Sequence, residues 1–415
     1  MNKLQLFLLG GAAVLIALAV LVFSGAFGFG DRSGRTNLVM WGTLPKTVFN
    51  DISRTIEQSS NGALKLSYEQ KTEARYEQEL LEALAAGVGP DLWIIPAEWH
   101  ATRASLIAPL PTALFTEREF TERFVDSASV FIAPARSEGR TNDIVALPLA
   151  FDPLVLYWNK DLFNAAAIAA PPRDWTELIA HTRALTRRTP EKQIEQSGAA
   201  LGRASNIPSF KKILELLMLQ ENPRQTAFLE DIDAANSATR YYTNFASSFQ
   251  NHFSWHALLA APRDLFSENR LAMMFDYASY ANPLTERNPH LNAAYALVPQ
   301  IDATRPVTTG SLWGITVSRS SAKGAQAWQA ALLLTNKEIA SLITERANIV
   351  PVHRGLLKQD SLLHASVLQA KILSDPNPAQ TSAILANMID TIADGRKTVS
   401  EAVAEAKRKL ESLQN

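Results

Sequence analysis

The sequence predicts an α/β fold built as two lobes, on three observations. Short apolar runs alternate with amphipathic stretches along the body of the chain. The first three runs are separated by helical patterns, as in parallel strands joined by crossover helices. The chain has 415 residues, too many for one small core.

The elements follow in order. Residues 37–41 (NLVMW) form a strand candidate. Val48, Phe49, Ile52 and Ile56 then recur at helical spacing. Residues 64–68 (LKLSY) alternate with period two and read as a second strand. Tyr76, Leu80, Leu81 and Leu84 make the stripe of the next helix, which Gly87 to Pro90 stop. Residues 92–95 (LWII) are continuously apolar, like a buried parallel strand. In such a sheet a ligand lies at the carboxyl ends of the strands.

Residues 144–148 and 154–158 read as two short strands flanking a polar break at Asp152. Asp174-Trp-Thr-Glu177 is a capping box. Helices are expected over 211–220 and 234–249, and the polar stretch 187–196 as an exposed loop. Strands are expected over 271–275, 294–298 and 313–317, with a helix from about Tyr277. Three helices close the chain, two of them capped at 335–338 and 398–401.

Charge excludes some functions. Lys and Arg number 40 against 41 Asp and Glu. A nucleic-acid binder usually shows a basic excess, so nucleic acid is not an expected partner. There is no cysteine. This excludes disulfides, thiol nucleophiles, cysteine-held metals and a lipid anchor on cysteine.

Residues 1–30 stand apart, with Lys3 their one charge. Residues 6–23 run apolar without interruption, and eighteen residues of helix span ~27 Å, near the ~30 Å hydrocarbon core. Two readings are open: an uncleaved transmembrane anchor, or a signal peptide cut near Ser24-Gly25-Ala26. Both place the body outside the cytoplasm. The glycine-containing stretch after it reads as a flexible linker, taken as residues 31–36.

No P-loop and no nucleophile elbow occurs. Ser209-x-x-Lys212 and Ser320-x-x-Lys323 match a short SxxK form without its partner motifs, which makes them chance matches. His252 and His256 lie four apart without a third ligand, so neither a metal nor a cofactor is expected. Glu98 and Asp152 both follow predicted strands. They read either as ligand contacts or as caps and surface charge. Trp41 and Trp313 lie at predicted strand ends, where a flat ring suits a sugar's C–H face. Trp99 is open between core and ligand contact. Trp93, Trp158, Trp175, Trp255 and Trp328 read as core.

Six segments, in order, resemble one family. They are Gly89-Pro-Asp-Leu92, residues 146–163 (ALPLAFDPLVLYWNKDLF), residues 171–178 (PPRDWTEL), residues 266–274 (FSENRLAMM), residues 348–352 (NIVPV) and residues 394–402 (DGRKTVSEA). Together they are similar to extracellular solute-binding proteins of ABC importers, in the maltose-binding-protein-like group (family 1). The resemblance covers about nine-tenths of the chain. Asn269 stands where the family has Gly.

The resemblance implies a two-lobe periplasmic-binding-protein fold (Venus flytrap, type II) with three hinge crossings. These fall near 150–152, 275–277 and 310–313. Lobe 1 then holds 37–149 with 277–311, and lobe 2 holds 150–276 with 312–415. It also implies ligand contacts at Trp41, Thr43, Glu98, Asp152, Ser205, Asn206, Tyr277, Tyr280, Ser311 and Trp313, beside which Trp99 stays a candidate contact from its place after a predicted strand. Tyr277 and Tyr280 replace a GPW-like segment. Leu385 stands where the maltose binders carry a stacking tryptophan, which counts against maltodextrin but leaves saccharides as a class.

The implied function is capture of a small solute, foremost a mono- or oligosaccharide, for an ABC permease; the chain is expected to act as a monomer, anchored in the bilayer through residues 6–23 or secreted or periplasmic if that segment is cleaved. The alternatives are a sensory or adhesion module of the same fold, or a glycosidase using Glu98 and Asp152.

Overall fold

The computed structural model describes residues 35–99, 102–134, 141–358 and 360–413. The expected anchor or signal segment, its cleavage site and most of the linker lie outside the described residues. Among the described residues no helix is long and apolar enough to cross a membrane.

Twelve strands occur among the described residues: β1 (Thr36–Gly42), β2 (Leu64–Gln70), β3 (Leu92–Pro96), β4 (Ile132–Ala133), β5 (Asp143–Ile144), β6 (Leu147–Asn159), β7 (Arg187–Arg188), β8 (Ile194–Ala199), β9 (Leu271–Tyr277), β10 (Ala293–Ala296), β11 (Gly310–Val317) and β12 (Val350–Pro351). Ten join one sheet in the order β2-β1-β3-β11-β6-β9-β8-β7, with β10 and β12 also on β6. β1 runs parallel to β2 and β3, as the opening pattern predicts. β11 returns antiparallel between β3 and β6. All four residues Leu92 to Ile95 are buried, each apolar one worth ~1.5–3 kcal/mol.

Residues 147–159 form one strand rather than two. The polar Asp152 does not break it, because its buried carboxylate accepts the Ser279 backbone N–H at 3.0 Å. At this point β6 changes partners. Its first half pairs with β11 and β12, and its second half with β9 and β10.

That exchange divides the molecule into two cores. One runs from Leu38 to Phe151 and again from Leu312 to Ala370. The other runs from Leu154 to Val307 and again from Leu373 to Leu410. The chain therefore crosses between lobes after Phe151, after Val307 and after Ala370.

The crossings after Phe151 and after Val307 lie close to residues 150–152 and 310–313. The crossing expected near 275–277 is absent. β9 pairs with β6 and β8, and a short turn then sends the chain into the helix Ala281–Arg287 on the same lobe. Residues 277–307 thus belong to lobe 2 rather than lobe 1. Residues 312–370 belong to lobe 1 rather than lobe 2, because β11 pairs with β3 and the helix Gly324–Leu334 joins that core.

Several local expectations change too. Residues 187–196 form a hairpin arm, β7 to β8, instead of an open loop. Asp174 caps the helix Trp175–Leu185, but Glu177 reaches back to the Arg173 N–H. Thr398 and Glu401 make a full capping box. Asn336, not Thr335, caps the helix Lys337–Ala347. Among the described residues five α-helices, not three, follow β11.

Candidate functional site

The strand ends bring the first group of side chains together. β1 ends at Trp41 and Gly42, and β3 runs on into the turn Ala97–Trp99 that carries Glu98. Trp313, on β11, sits beside Pro96 of β3 and Ala150 of β6. All three tryptophans are half-buried against the lobe 1 core. Trp99 stacks on Tyr76 at 5.7 Å. One face of Trp41 is covered by the Lys71 ammonium at 3.6 Å, a cation–π contact. The Trp41 Nε1–H is buried without a protein partner.

The opposing group comes from lobe 2. The helix Phe210–Glu221 is buried over most of its circumference, yet carries Lys212 and Glu215 one turn apart. Lys212 donates to Glu215 at 2.8 Å and lies 3.4 Å from the Glu98 carboxylate of lobe 1. Burial alone would lower the Lys212 pKa, but Glu215 and Glu98 outweigh it and hold the ammonium charged. Tyr277 at the end of β9 reaches Ser311 with a side-chain hydrogen bond, and burial pushes its hydroxyl up to about 12.

Glu215 also ties this group to the hinge. One carboxylate oxygen accepts the Thr309 hydroxyl at 2.9 Å and the Leu373 N–H at 3.2 Å. Those residues belong to the second and third crossings.

Three expected contacts make their interactions within the fold. The Asn206 amide is spent on His256 O, Leu259 O and the Trp255 indole N–H. Tyr280 is buried in lobe 2 with the Arg263 guanidinium 4.1 Å over its ring. Asp152 is 4% exposed and held by Ser279; burial first, with Asp276 adding to it, raises its carboxyl to about 6. Glu98 and Asp152 are therefore engaged by different partners, Lys212 and Ser279. His252 Nδ1 lies 3.2 Å from Asn251 Oδ1, and His256 Nδ1 accepts the Leu258 N–H. Among the described residues no group of three or more His, Asp and Glu is placed to hold a metal ion.

Sequence reasoning missed Lys212, Glu215 and Thr309. A signal was present: two charges at i and i+3, the second of them flanked by the apolar residues Ile213, Leu214, Leu216 and Leu217, residue types that are rarely buried unless paired.

Two cores joined by three crossings, with charged and aromatic groups facing each other between them, define a hinged ligand-clamping protein. The profile of the family described as bacterial extracellular solute-binding protein matches residues 54–361, and the chain belongs to that family. It is a solute-binding protein acting outside the cytoplasm, not an enzyme. A Brucella abortus (strain 2308) protein named as a candidate binding protein is 21% identical, covering 97% of this chain and 98% of its own. Among solved structures, the cyclic α-maltosyl-1,6-maltose binding protein of Arthrobacter globiformis superposes with a TM-score of 0.74 at 15% identity, over 91% of this chain and 98% of that one. The sugar-binding protein MalE of Xanthomonas citri gives 0.73 at 13%, over 91% and 97%. These two share the fold.

Proposed function

We propose that this chain captures a saccharide between its lobes and delivers it to an ABC permease, acting as a monomer tethered through residues 6–23. The observation that carries the reading is the facing of Glu98 and Lys212 across the lobes, beside Trp41, Trp99 and Trp313. Carboxylate and ammonium offer an acceptor and donors for hydroxyls, and indole faces suit the C–H side of a pyranose. Thr43, Tyr277 and Ser311 complete the proposed contacts. The names of the similar structures support the same ligand class.

A sugar that touches both lobes binds the closed form more tightly than the open one, so it shifts the hinge equilibrium toward closure. A panel of mono- and oligosaccharides in a thermal-shift assay tests the ligand class. A true ligand at 100 Kd adds ~2.7 kcal/mol of stability. A rise with another solute class and none with any saccharide overturns it. Cell fractionation tests the tether: the protein partitions with the membrane and keeps its N-terminus, whereas a cleaved mature form would refute the anchor.

A further inference from the structure

Three charged side chains meet where the lobes face each other, two acidic and one basic. The Lys212 ammonium lies 2.8 Å from Glu215 and 3.4 Å from Glu98. The closer carboxylate takes the larger share of its attraction. Glu215 is also out of reach of a ligand. Its side chain is 1% exposed, and its other oxygen accepts the Thr309 hydroxyl and the Leu373 N–H. Glu98 keeps 18% of its side chain accessible, the largest share of the three. Two carboxylates on one ammonium leave one negative charge in excess, and Glu98 is where a ligand meets it.

Two cations of lobe 1 beside the tryptophans have carboxylates of their own. Arg103, whose N–H bonds the Trp99 carbonyl, is paired with Glu77. Lys71 lies 3.5 and 3.7 Å from Glu69 and Glu79. The aromatic rings are an independent sign. Lys71 sits 3.6 Å over the Trp41 ring, so one indole of this site already seats an ammonium. Trp99 follows Glu98 directly, and Trp313 pairs with Pro96 just before the same turn. An indole face attracts cations through its ring quadrupole.

We infer that the cleft ligand carries a protonated amine and that Glu98 is the residue that selects for it. Together with the saccharide reading, on which this half rests, the ligand is an amino sugar with a free amine. Its ammonium makes a charge-assisted hydrogen bond to Glu98 beside Trp99 and Trp313. A uronic acid is repelled by the same excess charge, and a neutral sugar gains nothing from it.

Titration calorimetry of the full chain tests this with matched probes. They are sugars of glucose and galactose type, as mono- and disaccharides, in free-amine, N-acetylated, hydroxyl and uronate forms, with putrescine as an amine that is not a sugar. A free-amine sugar is expected to bind about tenfold tighter than its N-acetylated and hydroxyl counterparts. Added salt narrows that margin. Glu98→Gln leaves one carboxylate on one ammonium and cuts the margin to below about twofold. Glu98→Asp keeps the charge and most of the margin, and melting curves confirm that both variants fold. Equal affinity for amine and hydroxyl forms, or tighter binding of a uronate, overturns the charge inference and leaves saccharide capture standing. A margin that survives Glu98→Gln overturns the assignment to Glu98. Putrescine binding without binding of any sugar overturns the saccharide reading and upholds the charge inference. No binding of any probe overturns both.

Discussion

The two lobes furnish the cleft in different ways. Lobe 1 presents half-buried aromatic rings and one carboxylate from strand ends, on a sheet whose core lies beneath them. Lobe 2 presents an ammonium from inside a buried helix, with its counter-ion Glu215 bonded to two hinge crossings. A charge rooted this deeply is coupled to folding and to the hinge. A charge at a strand end is coupled mainly to whatever enters the cleft.

This contrast predicts where substitutions hurt. The largest effect is expected at Glu215. Glu215→Ala leaves the Lys212 ammonium short of its closest counter-ion and strips the hinge bonds, at a cost of about 3–5 kcal/mol in denaturant unfolding. A cost below about 1 kcal/mol would erase the distinction between the lobes.

Next is Asp152, at the strand that joins them. Its folded carboxyl at about 6 lies above the ordinary 3.8, so the native state holds the proton more tightly than the unfolded chain. Stability from this group is present below pH 4 and is lost as pH rises to about 6, on the order of 3 kcal/mol. Asp152→Asn keeps an acceptor for Ser279 and abolishes the loss. Melting curves should show the variant more stable than the native protein at pH 7.5 and no more stable at pH 4.

A smaller effect falls on lobe 1. Glu98→Gln is expected to weaken the cleft ligand by about tenfold, near 1.4 kcal/mol, while stability changes by less than about 1 kcal/mol. Calorimetry beside thermal melts separates the two, and a variant that binds normally but melts early would place Glu98 with the hinge group. The smallest change is Lys71→Ala. It removes a cation–π contact worth about 0.5–1 kcal/mol and uncovers one face of Trp41. Tighter saccharide binding by this variant would mean that Lys71 competes with the sugar for that face.

Much of lobe 1 was legible because its signals are local. Period-two and period-3.6 patterns placed β1, β2, β3 and the helices between them, and the parallel pairing followed. Trp41 and Glu98 were legible as site candidates because each stands at or just past a strand end, whereas Trp313, expected to open a strand, lies inside β11. Asn206, Tyr280 and Asp152 were legible only as polar or aromatic residues near such ends. Their side chains turn to partners on other elements, Trp255, Arg263 and Ser279 in turn, and no local pattern reveals that. Lys212 failed for the opposite reason, since its SxxK setting carried no meaning and its partner Glu98 lies on the other lobe.

The sequence by itself determined the α/β class, the order of most elements, the caps at Asp174 and Thr398, and the family. These rest on contacts within a few turns or on motifs read in order. The tertiary structure alone decided which lobe owns residues 277–307 and 312–370, where the third crossing lies, and that Lys212 meets Glu98. Each depends on pairing between segments far apart in the chain, such as β11 with β3 and β6. Strand order and buried ion pairs are chosen by the packing of the whole sheet and its helices, and residue spacing along the chain does not encode that choice.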